Sequence, residues 1–273
     1  MKQLCRVFGV HRSSFNYWNK RKPKTHYRSL QERAMVQWIF RISKGSAGAR
    51  TVAQIASDND VPMSRFVARK HMLDLELVSC QPSINKHKNT GAEHATVLNL
   101  LNRQFSPSQP NQVWCGDITY IWTGTRWAYL AVVLDLYARH VVGWALSESP
   151  DSDLTCKALR NAFESRGKPK GLLFHSDQGC QYTSKQFREK LAGYGISQSM
   201  SRRANCWDNA PMERFFRSFK TEWMPKKGYT SLNEAHSEIN SYITNYYSEV
   251  RPHTFNNGLA PKEAEAVFYK LAS

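Results

Sequence analysis

The rhythm of polar and apolar positions changes once along the chain, near residue 111. Before that point, apolar residues recur three and four apart, the spacing of helices packed by one face. Leu4–Phe8 and Ser13–Trp18 read as two short helices joined at Gly9-Val10. Residues 29–43 predict a longer helix, with Ser29 as its N-cap and Leu30, Ala34, Trp38, Phe40 and Ile42 on the packed face. Residues 51–77 predict two helices broken at Asp58–Val61, with Pro62 in the first turn of the second. This is the outline of a helix-turn-helix, and it sets Arg65, Arg69 and Lys70 on the second helix. Two readings stand: a DNA-contacting unit, or a helical bundle with a solvated basic face. Residues 79–112 are polar and hold three prolines. They predict a linker around 80–93, a short helix near 94–103 and a boundary at 105–111.

From Val113 the period shortens to two. Residues 113–122, 126–134 and 139–146 are aromatic and β-branched, separated by short polar breaks, and predict three consecutive strands. A helix is expected over 152–166, a buried strand over 171–175, a helix over 184–194 and a strand over 196–200. A further helix runs from about Asn209 to Trp223, and two more lie near 231–248 and 261–271. Three strands followed by helix–strand–helix–strand–helix is an α/β order with mixed strand directions.

Charge changes this picture. The 273 residues carry 38 Lys and Arg against 22 Asp and Glu, a net of +16, which points to a polyanionic partner, nucleic acid first. Most of the excess is N-terminal: 18 basic against 6 acidic residues over 1–110, and 20 against 16 over 111–273. No apolar run approaches the length of a membrane span. The six cysteines are scattered without a CxxC pair or finger spacing. They fit a reducing cytoplasm, structural roles and no zinc ribbon.

The candidate chemistry lies in three carboxylates. Asp117 is within the first predicted strand, with Thr119 on the same face. Asp177 lies just beyond the fourth strand, where α/β sheets place their sites. Glu213 lies near the start of the 209–223 helix, with 35 residues between it and Asp177. On that helix Met212, Phe215 or Phe216, Phe219 and Trp223 form the packed stripe, while Glu213, Arg217 and Lys220 share a neighbouring one. The second stripe suits either a meeting of metal and phosphate or a surface ion-pair ladder. Converging carboxylates suit hard Mg²⁺ or Mn²⁺, which keeps substrate phosphates in its shell and supports in-line phosphoryl transfer.

Four segments narrow the family: Trp114–Tyr120, His175–Tyr182, Asp208–Phe216 and Arg251-Pro252-His253. In order and spacing they resemble the Asp-Asp-Glu transposase and retroviral-integrase superfamily, most of all bacterial insertion-sequence transposases of the OrfB type. The resemblance covers nearly the whole chain. It implies a ribonuclease-H-like mixed-sheet catalytic core over 111–228, preceded by an all-α helix-turn-helix DNA-binding region (1–80) and a linker or arm (81–110). C-terminal helices follow over 229–273. It implies Mg²⁺ or Mn²⁺ held by Asp117, Asp177 and Glu213. The reaction is then hydrolysis of a phosphodiester at the element's end, followed by 3′-hydroxyl strand transfer. The implied partners are terminal inverted repeats and target DNA, an OrfA-derived segment or partner, and further copies of the chain on DNA. The setting is the bacterial cytoplasm at the nucleoid.

The remaining candidates each carry an ordinary alternative. Arg217 and Lys220 are the leading phosphate contacts; Arg202 and Arg203 are either DNA contacts or solvated charges. His175 either faces the site or is a buried, satisfied imidazole. Asp135 reads as a turn residue, Asp208 as an N-cap, and Trp207 as a core indole rather than a base-stacking one. Arg251 and His253 contact DNA or pair internally. Against the transposase stand a non-catalytic DNA-binding remnant or regulator, and a nuclease on the same fold.

Overall fold

A computed structural model of the chain describes residues 2–20, 27–80, 97–202 and 206–272. Two short helices, α1 (Lys2–Val7) and α2 (Arg12–Lys20), open the chain. Helices α3 (Tyr27–Ile42), α4 (Ala49–Asp58) and α5 (Arg65–Asp74) then enclose a core of their own around Val36, Ile39, Val52, Ile55 and Ala68.

Three expectations for this region are corrected. Ser29 lies inside α3, not at its cap. The buried stripe of α3 is Glu32, Val36 and Ile39, while Leu30, Ala34 and Trp38 are exposed and Phe40 and Ile42 half-buried. The cause is Glu32, whose carboxylate meets the His71 imidazole of α5 at 3.0 Å and Arg28 at 3.1 Å. The hydrogen bond from His71 holds Glu32 below the usual carboxylate range against the cost of burial. A paired acid can occupy a core position that hydropathy assigns to solvent. Pro62 precedes α5 instead of starting it; the hydroxyl of Ser64 caps the helix by accepting from the Val67 N–H.

The second body is built on strands β1 (Val113–Trp122), β2 (Trp127–Asp135), β3 (His140–Ser147), β4 (Leu173–Ser176) and β5 (Ser197–Met200). Their order is β3-β2-β1-β4-β5. The first three form an antiparallel meander, and β4 and β5 continue the sheet parallel to β1. This is the mixed sheet expected of a ribonuclease-H-like core. Alternation along the strands feeds two layers. Trp114, Ala131, Val133 and Phe174 pack on α6 (Ser152–Ser165) and α8 (Lys185–Gly193). Cys115, Leu130, Val132 and Leu134 pack on α9 (Ala210–Glu222) and α10 (Leu232–Ser241). Because β2 is covered on both faces, it reads as a continuous apolar run. A short α7 (Cys180–Thr183) lies between β4 and α8, and α11 (Pro261–Ala272) ends the described chain.

The short helix expected near 94–103 is not seen over its described residues, 97–103, which form turns. The N–H groups of Leu100 and Leu101 donate to the Ser199 hydroxyl, and Asn102 and Arg103 adopt positive φ. Leu101 still reaches the sheet core. The C-terminal segment shares that core: Tyr242 and Tyr247, on one turn of π-helix, pack against Phe215 of α9. Among the described residues no helix is long and apolar enough to cross a membrane.

Candidate active site

The parallel pairing of β1 with β4 sets the site. Val113, Trp114 and Cys115 stand opposite Leu173, Phe174 and His175. Asp117 and Asp177 each follow two residues later, so one register carries both acids to the same end of neighbouring strands. They line one recess of about 240 Å³ with Thr119, Tyr129, Gln181 and Tyr182. Gly116 makes this possible, because a Cβ there would collide with the Phe174 ring and press on the Tyr182 hydroxyl.

The two carboxyls are held by short local bonds. Asp117 Oδ1 accepts from the Ile118 N–H at 2.8 Å, and Asp177 Oδ1 accepts from the Gly179 N–H at 3.0 Å. Asp117 is half-buried, and Asp177 is exposed where it lines the recess. Burial, then the Asp177 charge, pushes the Asp117 carboxyl well above the ordinary aspartate value, with Glu213 adding to the rise. The Ile118 N–H and the Lys220 ammonium oppose it. Burial raises Asp177 as well, against the Gly179 N–H. Tyr182 is buried beside the pair; desolvation, then the charges of Asp117 and Asp177, drives its phenol upward.

Glu213 is half-buried in the first turn of α9. Its field reaches Asp117. Among the described residues, however, no three His, Cys, Asp or Glu side chains stand close enough to enclose an ion. Of the three acids, Asp117 and Asp177 line the recess. Two hard oxygen donors that resist joint ionisation fit a divalent cation, which usually takes only one or two protein carboxylates and fills its shell with water and phosphate.

The start of α9 is stitched to both acid-bearing strands. The Asn209 amide donates to the Gly116 carbonyl of β1 at 3.4 Å. His175 of β4 meets the Asp208 carbonyl at 3.0 Å through Nε2, and the Ser199 hydroxyl at 2.8 Å through Nδ1. His175 is fully buried, and desolvation lowers its pKa to about 4. This corrects the site-facing reading of His175: it is a neutral, satisfied imidazole that anchors the turn before Glu213.

Asp208 is corrected too. It is not a helix cap; its carboxylate accepts from Asn99 at 2.9 Å, Arg103 at 2.6 Å and Arg202 at 3.0 and 3.1 Å. It is closed to water yet shallow, because its cover is two partly exposed arginines. Desolvation raises its pKa, but the bonds from Arg202 and Arg103 outweigh that and hold it at about 2. Arg202, expected at DNA, therefore has its Nε on Asp208. Arg203 lies outside the described residues.

On α9, Met212, Phe215, Phe216 and Phe219 are buried, Arg217 is exposed and Lys220 half-buried. Desolvation lowers Lys220 while Asp117 pulls it up, and its Nζ stands 4.4 Å over the Tyr120 ring. Arg65, Arg69 and Lys70 are exposed on α5, away from the recess lining. Trp207 is 70% exposed and not a core indole. Asp135 is a buried structural acid, accepting from Asn111, Trp114 and Tyr137. Arg251 pairs internally with Glu222 at 2.7 Å. His253 is also inward, its pKa lowered to about 4 by desolvation and by Arg251. Tyr182 and the Asp208 hub carry no periodic signal; both lie within the motif segments His175–Tyr182 and Asp208–Phe216.

Residues 107–206 match an integrase core domain family, and residues 194–261 match a second family of that description. The chain is 32% identical to the transposase InsF of insertion sequence IS3A from Escherichia coli, over 97% of this chain and 93% of that protein. It is 53% identical over 161 residues to the InsO protein of insertion sequence element IS911B, also from Escherichia coli. That match covers 59% of this chain and 81% of the relative. The HTLV-2 integrase catalytic core domain, solved in complex with magnesium, overlays 58% of this chain and 98% of that one, with 18% identity and a TM-score of 0.42.

Proposed function

Since this chain belongs to the insertion-sequence transposases with an integrase core, we propose that Asp117, Asp177 and Glu213 carry its phosphodiester hydrolysis and 3′-hydroxyl strand transfer. The observation that supports this reading most is the shared register of Asp117 and Asp177, with both carboxyls driven upward in one recess.

Asp117 and Asp177 would hold Mg²⁺ or Mn²⁺, with Glu213 contributed from α9. Such an ion neutralises charge on the attacking and leaving oxygens of an in-line displacement. The protein's own part is positioning. The β1–β4 register fixes the two aspartates, and Asn209 and His175 fix the start of the helix that bears Glu213. Lys220 and the exposed Arg217 are placed to meet backbone phosphates as charge-assisted donors. Tyr182 closes the recess from beneath and limits water around the pair.

The division of labour follows the charge. Residues 1–80 serve as the DNA-binding region, with Arg65, Arg69 and Lys70 on phosphates. Residues 81–110 link it to a catalytic core over 111–228, which the helices of 229–273 brace. The substrates are the element's terminal inverted repeats and target DNA in the nucleoid. Two ends must meet, so the working form is an oligomer on DNA, aided by an OrfA-derived segment or partner.

The test is metal-dependent nicking of a labelled duplex that carries the element's end. Asp117→Asn, Asp177→Asn and Glu213→Gln are each expected to lose cleavage and keep DNA binding. Cleavage at the wild-type rate by all three variants overturns the assignment. Binding with no metal-dependent cleavage by the wild type favours the non-catalytic alternative.

A further inference from the structure

Beside the acidic recess lies a second hollow whose chemistry differs. It has a volume of about 430 Å³ and is walled by Tyr120, Trp122 and Trp127 on one side and Lys220, Lys226 and Lys227 on the other. We propose that this cleft holds one unpaired nucleotide of a DNA strand that passes through the recess. The proposal deepens the transposase reading and rests on it.

The aromatic wall is the tip of the β1–β2 hairpin, where Trp122 pairs with Trp127 across the ladder. The Trp127 ring meets Tyr120 and Trp122 edge-on, each at 5.2 Å. Tyr120 is 59% exposed and Trp127 48% exposed. Apolar rings of this size gain from burial, and here they face a hollow rather than the core.

The basic wall comes from the end of α9 and the loop after it. That loop is held against the hairpin, since the Tyr229 N–H donates to the Trp122 carbonyl at 2.9 Å. Gly228, at φ +78°, lets it approach; a Cβ there would stand 2.6 Å from the Trp122 carbonyl oxygen. The cleft is therefore built before any ligand arrives. Three lysines and no acid line it.

Aromatic faces framed by cations take nucleobases by stacking and phosphates by charge, with little regard to sequence. A hollow of about 430 Å³ lies in the range of small-ligand pockets of about 300–1,000 Å³, so it suits a single nucleotide, not a duplex. Continuity decides which nucleotide. Tyr120 lines both hollows, and Lys220 lies in the field of Asp117 while resting on Tyr120. A strand with its phosphate at the aspartates has its neighbouring base at the cleft.

The test uses the full chain and three fluorescent probes: a blunt duplex of the element's end, the same duplex with a short single-stranded overhang, and oligothymidylate. Trp127→Ala is expected to weaken binding of the two single-stranded probes about tenfold, the scale of one base–aromatic stack. It should leave the blunt duplex unchanged. Trp127→Phe restores most of the loss, which separates stacking from damage to the hairpin. Lys226→Ala with Lys227→Ala weakens the same two probes and flattens their salt dependence. Equal affinity of wild type and Trp127→Ala for the overhang overturns the proposal and leaves the cleft to another occupant. An equal loss on blunt and overhang probes overturns it also. Overhang preference is read without cleavage, so a wild type that fails to nick DNA counts against the catalytic reading and not against the cleft.

Discussion

Asp117, on β1, and Asp177, just past the end of β4, each stand two residues beyond the paired Cys115 and His175. That alignment brings both carboxyls into one recess, where burial, joined at Asp117 by the Asp177 charge, makes both hold protons more tightly than an ordinary aspartate. The folded chain therefore binds more protons there than the unfolded one, and the two aspartates' contribution to stability falls as pH rises past about 4. Asp117→Asn removes the repulsion. Its melting temperature is expected to exceed that of the wild type by a few degrees at neutral pH, with the gap closing near pH 4. A gap that widens on acidification contradicts this.

A divalent cation held by the two aspartates would offset the same repulsion. Mg²⁺ or Mn²⁺ is expected to raise the wild-type melting temperature at neutral pH, and a chelator to reverse the rise. The Asp117→Asn, Asp177→Asn pair should show no response. Equal metal shifts in both proteins would place the ion elsewhere.

His175 is buried and His253 half-buried, and desolvation lowers the pKa of each to about 4. The unfolded chain takes up these protons first, so the histidines' contribution to stability rises with pH between about 4 and 6.5. His175→Gln is expected to reduce that slope in urea titrations across the range. An unchanged slope means that His175 is protonated in the folded protein.

Asp208 acts in the opposite sense. Its pKa is held at about 2, so its contribution is complete above about 4 and is lost as pH falls toward 2. Asp208→Ala strips Arg103, Arg202 and Asn99 of their acceptor. A loss of about 2 kcal/mol is expected at neutral pH, at the low end for charged bonds because both arginines can turn to solvent. Cleavage should fall as well, since the turn that starts α9 loosens. Full activity in a destabilised variant would confine Asp208 to stability.

Much of this was legible in the sequence. The strands of 113–147 announced themselves by period, whereas the alignment of the two aspartates emerged only from the pairing of β1 with β4. Several misreadings share one cause: polar groups satisfied by distant partners. Glu32 entered the α3 core through His71, and Leu100 and Leu101 gave their N–H groups to Ser199 instead of a helix. Asp208 looked like a cap because Arg103 is far away in sequence. His175 shares strand parity with Asp177, yet its ring turns to Ser199 and the Asp208 carbonyl. Trp207 broke the opposite way, an aromatic left outside.

The exposed cations of α5 give a separable prediction. Arg65→Ala, Arg69→Ala and Lys70→Ala together are expected to weaken duplex binding and to lower the slope of log affinity against log salt by about 0.9 for each phosphate no longer neutralised. The rate of nicking at saturating protein should not change. An unaltered salt slope would make this face of α5 a plain solvated surface.

The central claim is that one set of acids performs both cutting and joining. It is tested most directly by strand joining with a pre-cut element end that carries a free 3′-hydroxyl, a labelled target duplex and Mg²⁺ or Mn²⁺, with wild type beside Asp177→Asn. The account predicts joined product from the wild type alone, although both proteins bind the DNA. Joined product from Asp177→Asn at the wild-type rate would contradict it.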